Sequence, residues 1–220
     1  VSMVDTLLMC SLMRALRLSS RLILVGDPDQ LPSVGPGNLL RDMISSDVIP
    51  TVHLGRVFRQ AEQSAIIQSA HSIIRGEQPD LSRRDSDFFF MEKGSYEQIA
   101  ETVADLCARR LPTAYGFDPL WDIQVIAPSR VGAIGTQGLN RILQEQLNPK
   151  NPMKAQFQFG NTLYREGDKV MQIKNNYDIL WKKDDGEEGT GVFNGDIGVI
   201  EMIDRPSQTI LIRYDDRVAQ

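Results

Sequence analysis

The sequence predicts an α/β protein whose final stretch turns into antiparallel β structure. Three observations carry this. Short apolar runs alternate with amphipathic helical patterns as far as residue 147, the rhythm of helices packed on a largely parallel sheet. After Pro152 that rhythm stops, and short apolar runs separated by turn residues follow, which suits a small antiparallel β-barrel or sheet. The composition, 41% hydrophobic and 24% charged over 220 residues, is that of a globular chain and excludes wholesale disorder, collagen and disulfide scaffolds.

Val4, Leu7, Leu8, Leu12, Ala15 and Leu16 recur at three- and four-residue spacing, so residues 4–17 read as an amphipathic helix. That pattern is already running at Met3 and Val4, and we expect the natural chain to continue upstream. Arg21-Leu22-Ile23-Leu24-Val25-Gly26 suits a strand buried on both faces of a parallel sheet. The Pro- and Gly-rich stretch 27–37 is then a loop at its carboxyl end, where open α/β sheets bind ligands. Residues 38–44 read as a short helix and 52–54 as a short strand. A helix over 62–75 carries Ala65, Ile66, Ala70, Ile73 and Ile74 and stops at Gly76. Phe88-Phe89-Phe90 reads as a core strand. A further helix spans 95–110, with Ser95 three residues before Gln98, the spacing of a capping box. Residues 123–127 read as a strand and 135–147 as a helix. Strands are expected at 169–173, 198–203 and 209–214, with a mobile hairpin or loop over 182–191.

Net charge is −5, so any nucleic-acid contact is a local groove rather than a basic surface. Cys10 and Cys107 lie inside apolar helical patterns and read as buried thiols of a reducing, cytoplasmic compartment. No apolar run approaches the roughly 18 residues of a membrane span. His53 and His71 stand without ligand partners at useful spacing, so no metal site is expected in these residues. Trp121 and Trp181 read as packing residues, and the acidic run 184–188 as solvated.

Gly26-Asp27-Pro28-Asp29-Gln30 places two carboxylates and an amide on the ligand-facing loop. Two readings are open from the residues. The stretch is either a proline-bearing turn held by Asx hydrogen bonds, or a nucleotide site in which Gln30 bonds a phosphate oxygen or attacking water and a carboxylate orients magnesium-bound water.

The stretch LILVGDPDQLPSVGPGNLL resembles helicase motif III of the RecD-like branch of superfamily 1, the exodeoxyribonuclease V alpha-subunit family. VSMVD is similar to the tail of that family's Walker B segment, and LGRVFRQAEQSAIIQSAHSIIRG to its motif IV. VIAPSRVGAIGTQGLNRILQEQLNP resembles the next block of the second motor domain. EGDKVMQIKNNYD and GVFNGDIGVI resemble the stretch that carries an SH3-like barrel. The likeness runs through the whole chain in order.

It implies partial RecA-like P-loop NTPase lobes followed by an SH3-like insertion: the end of the first lobe over 1–50, part of the second over 51–160, and the barrel over 161–220. It implies that Gln30 senses the γ-phosphate, that Gly26 and Asp27 shape that corner of the ATP site, and that Arg59 is an arginine finger whose fork suits charge spread over phosphoryl oxygens. Pro32, Ser33, Val34 and Gly35 would lie near single-stranded DNA, with Pro128, Ser129 and Arg130 as counterparts on the second lobe, where an ordinary strand-to-helix turn is the other reading. Asn175, Asn176 and Tyr177 are either DNA contacts or a structural turn.

No Gly-x-x-x-x-Gly-Lys-Ser/Thr loop occurs in these residues, so the β- and γ-phosphate cradle is missing from them. The resemblance therefore implies an ATP- and Mg2+-dependent DNA helicase as the parent protein, moving 5′ to 3′ on single-stranded DNA in recombination or repair. Other subunits of a helicase–nuclease complex are implied partners, no membrane is, and these 220 residues are expected to be inert alone. A non-catalytic docking module built on 161–220, and the helicase half of a conjugative relaxase, are the rival readings.

Overall fold

Helices carry the chain as far as residue 147 and antiparallel strands from 156 onward, in a computed structural model that describes residues 1–54 and 63–220. The chain divides into two units, Val1–Met91 and Glu92–Gln220.

In the first unit, α1 (Thr6–Ala15) starts at Asp5, whose carboxylate accepts a 2.7 Å bond from the Leu8 backbone N–H, filling one of the donors a helix start leaves orphaned. Only Met9 of this helix is buried; Leu7, Leu8 and Leu12 are exposed. Cys10 is exposed as well, which corrects the expectation of a buried thiol, since it stands beside Met9 and not on its face. α2 (Leu39–Ser45) follows. α3 (Ala65–Ile74) is capped twice, by its own Ser64 and by Asp87 from further along the chain. Asp87 accepts from Ser64 Oγ at 2.5 Å and from the Ala65 and Ile66 N–H groups at 2.7 and 3.2 Å. The Ser64 hydroxyl, then those backbone donors, hold the Asp87 carboxyl below its ordinary range.

Among the described residues of this unit there is no β-ladder. The runs at 21–26, 52–54 and 88–90 join no ladder among the described residues, correcting the strands expected there. A strand exists only through its neighbours' hydrogen bonds, and Ile23, Val25, Phe89 and Phe90 remain exposed.

The second unit opens with α4 (Tyr96–Asp105), where Ser95 Oγ accepts from Gln98 N at 3.3 Å. The Gln98 side chain reaches back to Gly94 N, 3.1 Å away, rather than to Ser95. The helix then widens into a π turn at Leu106–Arg110 and resumes as α5 (Leu111–Tyr115), ending at Gly116 with φ 72°. Pro112 explains the widening. Its ring lacks the N–H that would bond Ala108 and crowds that carbonyl, while Leu111 N–H bonds Leu106 one residue further back.

α6 (Thr136–Leu147) buries Leu139 and packs on α4 and the π turn. Residues 123–127 pair with no strand among the described residues, again correcting the expectation, and Lys169 Nζ donates to Ile123 O at 2.8 Å instead. Burial pushes the Lys169 ammonium below its ordinary range, against the Cys107 thiol and Asp118. Cys107 is buried, and that burial raises its thiol.

β1 (Gln156–Phe159) and β2 (Thr162–Arg165) form a hairpin. The remaining strands are β3 (Lys169–Met171), β4 (Asn176–Lys183), β5 (Glu188–Val192), β6 (Ile197–Asp204), β7 (Thr209–Tyr214) and β8 (Arg217–Ala219). They make one antiparallel sheet in the order β3-β6-β7-β8-β4-β5. Its core gathers Val192, Tyr214 and Ala219 with Ile179, Trp181 and Ile212. The acidic run is the tip of the β4–β5 hairpin, where Asp184 takes both oxygens to Arg213 NH1 at 3.1 and 3.0 Å.

The end of α6 meets the strands through buried polar groups. Asp168 accepts from Asn148 Nδ2 at 2.7 Å, from Gln144 Nε2 at 2.5 Å and from Arg165 N at 2.7 Å. The Arg165 guanidinium returns bonds to Asn148 O and, at 3.2 Å, to Glu145 Oε1. Beside them Glu166 accepts from Ile203 N and Ala155 N, both at 2.9 Å, and those two donors lower its carboxyl.

Candidate nucleotide and DNA-contact loops

The loop after Gly26 is a set of nested turns. Asp27 accepts from Asp29 N at 2.9 Å, the Asx turn open from sequence, and from Gln30 Nε2 at 3.2 Å. Gln30 N also approaches Asp27 O at 3.4 Å. Gly26 lies under α2: a Cβ there would stand 2.8 Å from Leu40 Cδ2. Arg41 of the same helix donates to Pro28 O at 3.1 Å and stands 3.6 Å from Asp29. Sequence reasoning missed Arg41, whose only signal is its place one turn into a helix that follows the loop.

Residues 32–37 fold back onto the start of α1. Ser33 Oγ donates to Gly35 O and Gly37 O, each at 3.2 Å, and Thr6 N donates to Pro36 O at 3.1 Å. Pro32 and Val34 project into solvent, while Ser33 and Gly35 are half-buried. The contiguous loop 26–37 thus presents an exposed carboxylate–amide edge, with Pro32, Ser33 and Val34 immediately beyond it.

In the second unit, residues 128–135 wrap the first turn of α6. Thr136 N and Gln137 N donate to Ser129 O at 3.0 Å and Arg130 O at 3.1 Å. Gly135 and Gly138 allow this: a Cβ on either would fall 2.6 or 2.5 Å from carbonyl oxygens of Val131 or of Gly132 and Ala133. Pro128, Ser129 and Arg130 are exposed.

Asn176 starts β4, and its Oδ1 accepts from Asp178 N at 3.1 Å. Asn175 Oδ1 accepts from Asn194 N at 2.9 Å, so both amides serve local turns. Tyr177 stays exposed, edge-on to Phe193 with ring centroids 5.7 Å apart. His53 and His71 are exposed, and Trp121 is exposed rather than packed. Arg59 lies outside the described residues.

Asp27, Asp29 and Gln30 suit one edge of a nucleotide site. They offer acceptors for magnesium-bound water and an amide for a terminal phosphate oxygen, with Arg41 the nearby cation. They do not make the cradle, which needs a lysine and several backbone N–H groups converging on phosphates. Among the described residues, no group of three His, Cys, Asp or Glu side chains is arranged to hold a metal ion. No helix among them is long and apolar enough to cross a membrane.

Comparison with known proteins adds three findings. Residues 1–89 match the family described as an AAA domain. Residues 139–214 match the family described as the SH3 domain of ATP-dependent RecD-like DNA helicases, a span that takes in α6 as well as the strands. The chain is also similar to the ATP-dependent RecD2 DNA helicase of Deinococcus radiodurans, with 33% identity over 201 residues. That alignment covers 91% of this chain and 24% of the relative, so the chain spans about a quarter of the protein it matches.

Proposed function

We propose that this chain, which matches RecD-like helicases through two family models and one relative, supplies the phosphate-sensing edge and part of the DNA track of an ATP-dependent motor. The bond from Gln30 Nε2 to Asp27 carries the reading. It holds the amide in an exposed loop at the head of residues 32–37, so a change felt at Gln30 is passed along four or five residues to the DNA-facing turn. In the proposal Gln30 turns its amide toward the γ-phosphate and the attacking water. Asp27 holds it there, and Arg59 closes on the departing phosphoryl group from the second lobe. Magnesium–ATP, when bound, supplies the hydrolysis that drives the cycle.

Pro32, Ser33 and Val34 on one lobe and Pro128, Ser129 and Arg130 on the other grip sugar and phosphate, and Asn176 adds a contact from the barrel. The lobe assignment 1–50, 51–160 and 161–220, movement 5′ to 3′, a cytoplasmic role in recombination or repair, and association with further helicase–nuclease subunits belong to the same proposal. Lacking a phosphate cradle, these residues by themselves are not expected to hydrolyse ATP.

The test is ATP hydrolysis by the complete polypeptide that contains these residues, with and without single-stranded DNA. DNA-stimulated hydrolysis is the expected result. Hydrolysis indifferent to DNA, or none, overturns the motor reading in favour of a docking module.

A further inference from the structure

α6 begins where one candidate DNA-contact loop ends, and finishes where the strands take hold. Its first turn is bonded to the carbonyls of Ser129 and Arg130. Its last turn enters the polar cluster around Asp168, through Gln144, Glu145 and the C-capping Asn148. These are not loose surface contacts: Arg165 is 1% exposed, Asn148 4% and Asp168 9%. A carboxylate buried to that degree is costly unless its hydrogen bonds all stay made. Asp168 makes three, two toward the helix and one toward β2. The junction consequently has one low-energy angle, and any hinge motion there strands acceptors and donors out of water. Between the two grips lies a helix of 12 residues, a rod of about 18 Å.

We infer that loop 128–135, α6 and the antiparallel sheet form one rigid lever, and that Asp168 is the positioning residue that fixes the angle of helix to sheet. The one-body claim stands on the geometry alone. What the lever moves rests on the helicase reading: a strand held at Pro128, Ser129 and Arg130 is displaced together with the sheet during each closure. The bonds of the Asp168 carboxylate go to the end of α6 and to β2. Its effect is therefore on how much movement each hydrolysis delivers, not on hydrolysis itself.

The experiment uses the complete polypeptide and two variants. Asp168→Asn places an amide N–H against groups that are already donors. Asp168→Asn combined with Gln144→Glu reverses donor and acceptor in the bond to residue 144, one of the three that Asp168 accepts, and gives up the Gln144 bond to Leu163 O. Amide hydrogen exchange is followed over 136–148 and over β3, β6 and β7, beside DNA-stimulated ATP hydrolysis and unwinding of a forked duplex. In the unsubstituted protein, helix and sheet amides are expected to open in one common event. In Asp168→Asn the helix is expected to exchange about tenfold faster than the sheet, unwinding per ATP to fall about tenfold, and stimulated hydrolysis to stay within about twofold; the double variant, which remakes the bond to residue 144, recovers part of both losses. If helix and sheet still exchange together in Asp168→Asn, or if exchange, hydrolysis and melting temperature all collapse together, the lever is overturned. If exchange separates as expected while the parent hydrolyses no ATP on DNA, the lever stands and the helicase reading falls.

Discussion

The carboxylate of Asp5 lies against the α-carbon of Gly35: a Cβ built there would sit 2.0 Å from Asp5 Oδ2. The other oxygen of that carboxylate caps α1. One side chain therefore ties the start of a helix to the turn proposed to face DNA, and the tie depends on Gly35 having no side chain. Gly35→Ala is expected to push Asp5 out of its cap and cost about 1 kcal/mol, seen as a lower melting temperature of the chain. An unchanged melting curve would show that the close approach is not stabilising.

Arg59→Ala and Gln30→Ala probe the proposed nucleotide edge in the complete polypeptide. Loss of an arginine finger is expected to lower DNA-stimulated ATP hydrolysis about a thousandfold or more. Gln30→Ala is expected to remove about a hundredfold and to lower the ratio of stimulated to basal hydrolysis. A stimulation ratio that survives in Gln30→Ala would count against its coupling role.

Acid should weaken the fold through two carboxylates. Asp87 and Glu166 both accept bonds from backbone N–H groups, and both titrate below their ordinary values of 3.8 and 4.5. A depressed carboxyl contributes stability that is fully present above its unfolded value and is lost as pH falls through the folded one. The melting temperature is expected to be level above pH about 5 and to fall below about 4. Glu166→Gln should melt lower at pH 7 and show a shallower acid slope. An equally steep slope in that variant would remove Glu166 from the account.

Trp181 lies across Gly189, its register partner on the neighbouring strand, so closely that a Cβ on Gly189 would fall 2.3 Å from the indole. Two cations stand over the ring, Arg217 at 5.3 Å from its centroid and Lys183 at 5.9 Å. Gly189→Ala is expected to lift the indole, red-shift its emission in a Trp121→Phe background and cost about 1–3 kcal/mol. Emission that stays where it was would mean that the strand, not the ring, yields.

The helices were legible because their signals are local. Ser95 and Gln98 announce a cap and Gly76 announces an end, while the run expected over 95–110 continues to Tyr115. The runs at 21–26 and 123–127 have strand composition but no partner among the described residues, and composition cannot supply one. The β1–β2 hairpin was missed although its signal was present. Gly160-Asn161 is a two-residue link between alternating segments, and Gly160 takes φ 56° as such a turn requires. β8 has three residues and follows Asp215 at φ 46°, too short to carry a pattern. At the candidate site, Asp27 and Gln30 were readable as chemistry from their types and spacing. Arg41 and Asp5 were not, because what brings them to the loop is the path of the chain and not their neighbours in sequence.

The wide turn at Leu106–Arg110 has a consequence for how this stretch of chain can vary. It accommodates one residue more than an α-helical turn of the same rise. Deleting a residue there would close the wide turn to an α-helical one without rotating the helix beyond it, while setting the Pro112 ring, which has no N–H to give, against the carbonyl one turn back. Leu111 and the residues after it would keep the side of the helix they now occupy, so no turn would have to be rebuilt. A deletion in either strand of the β1–β2 hairpin would instead send every later side chain of that strand to the opposite face. Length change costs one strained turn at the first place and the register of a whole strand at the second, although the runs are five and four residues long.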